Sequence, residues 1–399
     1  MRRVEAAEPS RPPVEGPLSG SSAVLSSILV AGRVVMLAIA VFSPPGAGST
    51  MDAARFEQIA TTPGRPWRDV EVEYPPVELL VVEVMAGSGP DATRDRLAIL
   101  SFIGDLGTFA ALRWGWGKRP AVAYLLLASP LLTLLYWRID PLFVALAVWG
   151  VAIGRHRSGR LGGVLLAIGT LARVWPVVVL PAVGRAAWIR ATQTFAFATV
   201  AGAASWIAYG GSSGPWQVAG SRGAEGWSAD GVVGSVLWIA GMDVQTDQGS
   251  LRLGRIDPWT RAVLVILLVS SLVWIWSRGG HLLEPAGIPA STAVAALLVL
   301  SPLFSIQYVT WILPWAAVTI LDRRRTAIPL LAFAAAVAGG SFLFAHQIAR
   351  PDLLWPLQLV FLTKNGAVAA ILVVGVAALA RSRIGDPRTA SITQVDESQ

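Results

Sequence analysis

The chain has 399 residues, 54% of them hydrophobic and only 14% charged, with a mean hydropathy of +0.58. A soluble globular protein is nearer about a quarter charged, so these figures exclude an ordinary soluble enzyme, a disordered chain and a solvated coiled coil. The net charge of +7 reads here as the basic bias of cytoplasmic loops, not as nucleic-acid binding, and the lack of cysteine excludes disulfides, thiolate metal sites and cysteine nucleophiles. His156, His281 and His346 lie far apart and form no H-E-x-x-H pattern, so neither a metal site nor a cofactor is expected.

Residues 1–20 are polar and rich in Pro and Glu, which predicts a disordered cytoplasmic tail. The run 21–42 is too long for the core of a signal peptide and predicts a retained first helix, with some cleavage risk at the small residues 46–49. Further apolar runs fall at 97–112, 121–137, 141–154, 161–184, 191–209, 258–276, 288–303, 305–321, 327–345 and 355–380. They are continuous rather than alternating, which in lipid means helices and not a barrel. The prediction is an all-α, polytopic transmembrane bundle over 21–383, a single domain, followed by a disordered cytoplasmic tail at 384–399.

Basic clusters orient this bundle. They occur at Arg2/Arg3, Arg113/Lys118/Arg119, Arg155/Arg157/Arg160, Arg185/Arg190, Arg323/Arg324/Arg325 and Arg381/Arg383. If all are cytoplasmic, an even number of crossings separates each pair. The run 161–184 lies alone between two clusters, so it must be a broken hairpin. Arg173-Val174-Trp175-Pro176 supplies the break, because proline removes a helix hydrogen bond and clashes with the preceding turn. Two short half-helices would then meet near the outer face. The segment 75–86, with Glu78 and Glu83, is too short to cross. The count becomes about twelve crossings with both termini cytoplasmic, given spans of roughly 20 residues.

Two outer connections are long, 43–74 and 210–257, and an idle connection is short, so the chemistry is expected to face outward. In the first, Asp52 is followed by Arg55, Phe56, Trp67-Arg68-Asp69 and Glu73-Tyr74-Pro75-Pro76. A carboxylate at the membrane rim among aromatic residues suits a base acting on a sugar hydroxyl; a solvated loop charge is the plain alternative. Arg33 lies in mid-run and Asp105 within another run, so both must face partners inside the bundle. A structural partner such as Glu78 or Glu83 is expected for Arg33, with a phosphate contact as the alternative. There are 17 Trp, most of them at helix ends, as an aromatic belt requires. Trp67, Trp137, Trp175 and Trp227 stand apart because they sit beside the polar residues singled out here.

The ordered set of motifs resembles the GT-C membrane glycosyltransferases, and within them the polyprenyl-phosphate-sugar-dependent glycosyltransferase family 87. The set begins with Asp52-x-x-x-Phe56, Gly64-x-Pro66-Trp67-x-Asp69 and Glu73-Tyr74-Pro75-Pro76. It continues with Arg138-Ile139-Asp140-Pro141 and with Gly162 through Pro176, where Arg173 stands for the family's usual Lys. Arg222-Gly223 with Gly226-Trp227 follows, with Asp230-Gly231 where an acid-Ser is usual. Ser301-Pro302 with Gln307-Tyr308 and Trp311 ends it. The resemblance covers roughly residues 20–345.

It implies an inverting transferase of the cell membrane that moves a sugar, mannose or another hexose or pentose, from polyprenyl phosphate to an envelope glycan or glycolipid acceptor on the outer face. It implies Asp52 as general base. It leaves Arg138, Arg173 and Arg222 as cations for the donor phosphate, Asp140 as a holder of Arg138 or of the acceptor, and Glu73, Tyr74 and Trp227 as further binding or loop-fixing residues. A snorkelling or structural ion pair is the plain alternative for each arginine. Two other functions remain open. A transporter or flippase for a lipid-linked or anionic substrate would use Arg33, Asp105 and the broken helix. A non-catalytic assembly subunit would use none of them.

Overall fold

The computed structural model describes residues 20–42, 51–222, 226–247, 250–322, 326–348 and 354–382. The tails at 1–19 and 383–399, the small residues 46–49 and the cluster Arg323–Arg325 therefore lie outside the described residues, as does the side chain of His346.

The chain is largely helical. The first helices are α1 (Gly20–Phe42), α2 (Met51–Thr61), α3 (Pro76–Met85), α4 (Pro90–Gly115), α5 (Lys118–Ala128), α6 (Leu132–Leu135) and α7 (Asp140–His156). They are followed by α8 (Gly159–Ala172), α9 (Arg185–Gly210), α10 (Ser213–Arg222), α11 (Val232–Ile239) and α12 (Pro258–Gly279). The last are α13 (Ile288–Leu300), α14 (Leu313–Val318), α15 (Ile328–Ile348) and α16 (Leu354–Arg381). Among the described residues five helical stretches are long and apolar enough to cross a membrane: Ala23–Phe42, Pro90–Gly115, Lys118–Leu135, Pro258–Gly279 and Leu357–Arg381. Shorter apolar helical stretches occur at Gly159–Ala172, Ile288–Leu300, Ile306–Leu321 and Ile328–Ser341, and α9 is long but carries Arg185 and Arg190.

Three expectations need correction. The fold is not purely helical, because the second long connection contains a small antiparallel sheet of β1 (Trp227–Ser228), β2 (Val244–Asp247) and β3 (Ser250–Leu253), in the order β1-β3-β2. The plain alternative for Asp52, a solvated loop charge, does not describe its place: α2 begins at Met51, so Asp52 sits in a helical first turn, where a carboxylate favours the helix dipole. Arg33 is paired with neither Glu78 nor Glu83. Its Nε donates to Asp105 Oδ2 at 2.7 Å, and its Nη2 donates to the Leu125 carbonyl. Both side chains of this ion pair are fully buried. Tyr124 and Tyr136 donate to the same Asp105 carboxylate. The Asp105 side chain wins because α1 packs on α4, which carries it, and on α5 and α6.

Close approach of helices fixes their directions. A Cβ on Gly104 would meet the Pro141–Leu142 backbone at 2.5 Å, and one on Gly115 would meet Ala152 Cβ at 3.0 Å, so α4 and α7 run side by side in the same direction. The α5–α6 stretch returns between them. Ser158 caps α8, its hydroxyl accepting from Leu161 N. A glycine stripe then lets α8 wedge between α7 and α9. A Cβ on Gly162 would lie 2.4 Å from Gly154 Cα, and one on Gly163 would lie 2.2 Å from the Ala191 carbonyl oxygen. Small residues at helix interfaces serve this purpose in lipid.

The run 161–184 is divided, as the proline required. Helix α8 ends at Ala172, four residues before Pro176, whose ring would clash with the Ala172 carbonyl. Arg173 is extended (φ −141, ψ 121), and Trp175–Val183 follows as a 3-10 helix containing Pro181. A Cβ on Gly169 would meet Pro176, and one on Gly154 would meet Val183, so this segment runs back along α8 to the end where α7 finishes. The second half is thus 3-10 and not α, because prolines at 176 and 181 leave no uninterrupted α ladder.

The bundle therefore has two chemically distinct ends. One carries Arg155, His156, Arg185, His281 and Glu284, with Arg155 Nη1 on Glu284 Oε1 at 2.6 Å and Arg185 near His281 at 3.1 Å. The rings of Trp114 and Trp116 pack edge-on against His156, which brings the Arg113/Lys118 turn to the same end. The other end carries Asp52, Arg138, Asp140 and Arg173.

Candidate functional site

The second end is built on its own apolar cluster. Phe56, Ile59, Trp67, Val72, Tyr74, Leu79, Val82, Met85, Leu97, Ile139, Phe143 and Ala172 pack together, tying α2, α3 and the 62–75 connection onto α4, α7 and α8. Several polar ties hold these pieces in register. Glu57 accepts from Gly87 N, Gly89 N and Thr93 Oγ1, closing the turn before α4. Those three bonds hold its carboxyl below the usual glutamate range. Arg55 grips Glu73 with two nitrogens, Nε to Oε1 at 2.9 Å and Nη2 to Oε2 at 2.5 Å. Hydrogen bonding to Glu73 holds Arg55 above the usual arginine range. Trp67 adopts a left-handed φ of 63°, donates through its indole to the Tyr74 carbonyl, and packs on Trp206 of α9. Its own carbonyl accepts from Ser213 Oγ and Gln217 Nε2 of α10. The two long connections are thereby fastened to each other.

On this platform stands a chain of charges. Asp52 Oδ1 and Arg138 Nη1 are 2.5 Å apart, with side chains 31% and 21% exposed. Burial opposes the Arg138 charge, but the Asp52 carboxylate more than offsets it and holds the guanidinium above the usual arginine range. Two residues on, Asp140 opens α7 and is buried. Its Oδ1 accepts from Trp311 Nε1 at 2.9 Å, and its Oδ2 lies 3.8 Å from Arg173 Nη2. The same Nη2 of Arg173 meets Glu78 Oε1 at 2.6 Å. Trp311 stacks on Trp175 and Tyr308, with centroids 5.2 and 4.0 Å away, so the aromatic run 306–311 forms the wall beside Arg173. Arg138 Nε, Arg173 Nε, Asp140 Oδ2 and the indole nitrogens of Trp137 and Trp175 are buried without a hydrogen-bond partner among the described residues. A buried polar atom left unpaired costs about 1–3 kcal/mol, so this concentration of such atoms marks a place suited to a polar ligand.

The expected site residues separate into groups. Asp52, Arg138, Asp140 and Arg173 converge. Glu73 and Tyr74 lie on the flank: Glu73 is engaged by Arg55, and Tyr74 is buried edge-on against Phe56 at 5.4 Å. Trp227 is half-buried in β1, paired with Leu253. Arg222 ends α10, but its side chain lies outside the described residues, as does Gly223. Sequence reasoning missed the role of Glu78 at Arg173. It also passed over Lys364, a cation in the last apolar run that is fully buried. For both, the available signal was an ionisable residue inside an apolar stretch.

No family model matches the chain, and no curated protein matches it. Among solved structures the chain is similar to the crystal structure of ArnT from Cupriavidus metallidurans in the apo state, at 14% identity and a TM-score of 0.48, over 91% of this chain and 78% of that one.

Proposed function

We propose that the protein is an inverting membrane glycosyltransferase of the GT-C type that moves a sugar from polyprenyl phosphate to an envelope glycan or glycolipid, within a bundle of about twelve crossings, given spans of roughly 20 residues. The observation that carries the reading is the partly exposed Asp52 carboxylate, paired with Arg138 two residues before Asp140 of the buried Asp140–Arg173–Glu78 cluster, at one end of the bundle. A base must be reachable by its substrate and fixed in direction, and Asp52 meets both requirements.

In the proposed reaction the Asp52 carboxylate takes the proton of the acceptor hydroxyl. The hydroxyl oxygen forms a bond to the anomeric carbon as the bond from that carbon to the phosphate oxygen breaks, and the polyprenyl phosphate leaves with its electron pair. Arg138 faces the developing charge, which preorganised cationic donors stabilise. Arg173, held by Glu78 and Asp140, positions the wall beneath. Three carboxylates (Asp52, Glu78, Asp140) against two guanidiniums (Arg138, Arg173) leave this cluster one negative charge in excess. An anionic donor needs a further cation, for which Arg222 is the proposed source. The acceptor's identity, and mannose as the sugar, rest on the motif resemblance alone. The transporter alternative draws on Arg33, Asp105 and the broken helix; the two charges neutralise each other and have hydroxyl and carbonyl partners around them, which favours a structural role for that pair.

The test is transfer of labelled sugar from synthetic polyprenyl phosphate in nanodiscs. Asp52→Asn keeps size while removing the proton acceptor, and general-base help is worth roughly 10²–10⁴-fold. Retention of more than about a tenth of wild-type transfer would remove Asp52 from this role.

A further inference from the structure

Lys364 lies well inside α16, about ten residues and so roughly 15 Å from the start of that helix at 1.5 Å per residue. Its side chain is fully buried, and no carboxylate lies within ion-pair distance of it among the described residues. A charge in such a place is expensive and calls for a named partner. Its Nζ donates to the Asp230 carbonyl at 2.6 Å and sits 3.7 Å above the Phe304 ring. The next residue, Asn365, donates to the Gly231 carbonyl and to Ser235 Oγ, both at 2.9 Å. Two adjacent side chains of one helix therefore seize two adjacent carbonyls of the second long connection.

That turn is tied onward. Ser228 Oγ donates to Asp230 Oδ1, Ser228 N donates to the Pro302 carbonyl, and Ala229 N donates to the Leu251 carbonyl of β3. The Pro302 segment passes through Phe304, under the Lys364 ammonium, to Tyr308 and Trp311, whose indole holds Asp140 beside Arg173. Irregular backbone is tolerated at such depth only where protein satisfies it, and Lys364 and Asn365 supply that satisfaction.

We infer that Lys364 is a positioning residue for the transfer reaction: with Asn365 it latches the Ser228–Gly231 turn to α16, and through the 302–311 segment it sets the place of Trp311 on Asp140. The effect on turnover rests on the function proposed above; the latch itself does not. Misplacement of a reacting group by about 1 Å costs on the order of 100-fold, and a displaced wall alters turnover more than donor recognition.

The chain has no cysteine, so Ala229→Cys, at a fully buried position of the turn, gives a single reporter. A water-soluble maleimide should label it slowly in the otherwise native full chain. Adding Lys364→Met should raise that rate at least tenfold, and Lys364→Gln, which keeps a donor, should restore most of the protection. In the transfer assay Lys364→Met should lower kcat by about 10–100-fold with donor KM within about twofold, on the scale set by misplacement, and Lys364→Gln should recover part of it. An unchanged labelling rate in Lys364→Met overturns the latch. Faster labelling with unchanged kcat overturns its link to the site. If Lys364→Met does not accumulate, Asn365→Val removes the second tie without touching the charge, and it must speed labelling for the latch to stand. Absence of transfer by the wild-type chain would sink the proposed function, while the labelling result would still decide the latch.

Discussion

At the scale of single residues the two kinds of charge at the site behave differently. Asp52 and Arg138 are partly exposed and meet each other, whereas Arg173, Glu78 and Asp140 are buried. Arg138→Gln should lower transfer by roughly 10²-fold, the cost of removing one preorganised donor, while lowering the thermal midpoint less than Arg173→Gln does, because the Asp52–Arg138 pair is partly exposed and the Glu78–Arg173 pair is buried. Parallel transfer and unfolding measurements check this; a large fall in the midpoint with unchanged transfer would make Arg138 structural. Glu57 predicts a pH effect. Its folded pKa lies below the ordinary value of 4.5, so its contribution is complete above the unfolded pKa and is lost as pH falls through the folded one. The midpoint difference between wild type and Glu57→Gln should be constant from neutral pH to about 5 and should close below about 4, near the carboxylate range. A difference that grows on acidification would contradict the capping role.

At the scale of elements, α1 is a long helix whose span is only 11% buried, yet one ion pair anchors it to the bundle. Breaking one partner of a buried pair costs about 3–5 kcal/mol, whereas replacing both by apolar residues is much cheaper. Asp105→Asn should therefore lower the thermal midpoint in detergent more than Arg33→Met combined with Asp105→Leu, a comparison made by thermal unfolding of the purified chain. The glycine stripe of α8 makes a second case. Gly163→Ala places a methyl where only 2.2 Å separates it from the Ala191 carbonyl, an overpacking of about 1–3 kcal/mol. Gly366→Ala on α16, where nothing lies within 4 Å, should be tolerated. Equal midpoints for the two variants would refute the close α8–α9 approach.

At the scale of the whole molecule, the basic clusters at 113–118, 155 and 185 gather at one end and the Asp52 site lies at the other. The positive-inside bias predicts that the first end is cytoplasmic. Cysteine placed at the exposed position Thr62, near Asp52, should react with an impermeant maleimide in intact cells, and cysteine at the exposed Arg157 should react only after permeabilisation. Labelling of both from one side would overturn the orientation and with it an outward-facing site.

Composition and run length by themselves determined that this is a helical membrane protein, because only helices or closed barrels satisfy their backbone in lipid and no strand alternation was present. Proline chemistry determines a break within Arg173–Pro176, and Asp52, Arg138, Asp140 and Arg173 are legible in the sequence as candidate residues. What they hold was decided only in three dimensions. Glu78 belongs to Arg173 and Asp105 to Arg33, because a charge in an apolar interior pairs with whatever a neighbouring helix presents, and which helices are neighbours is decided by tertiary packing. The Lys364 latch was illegible for the same reason: its hydrogen bonds join residues 134 apart, and no local period records a partner at that distance. The small sheet left no signal because its strands, of two to four residues, are too short for an alternation to show.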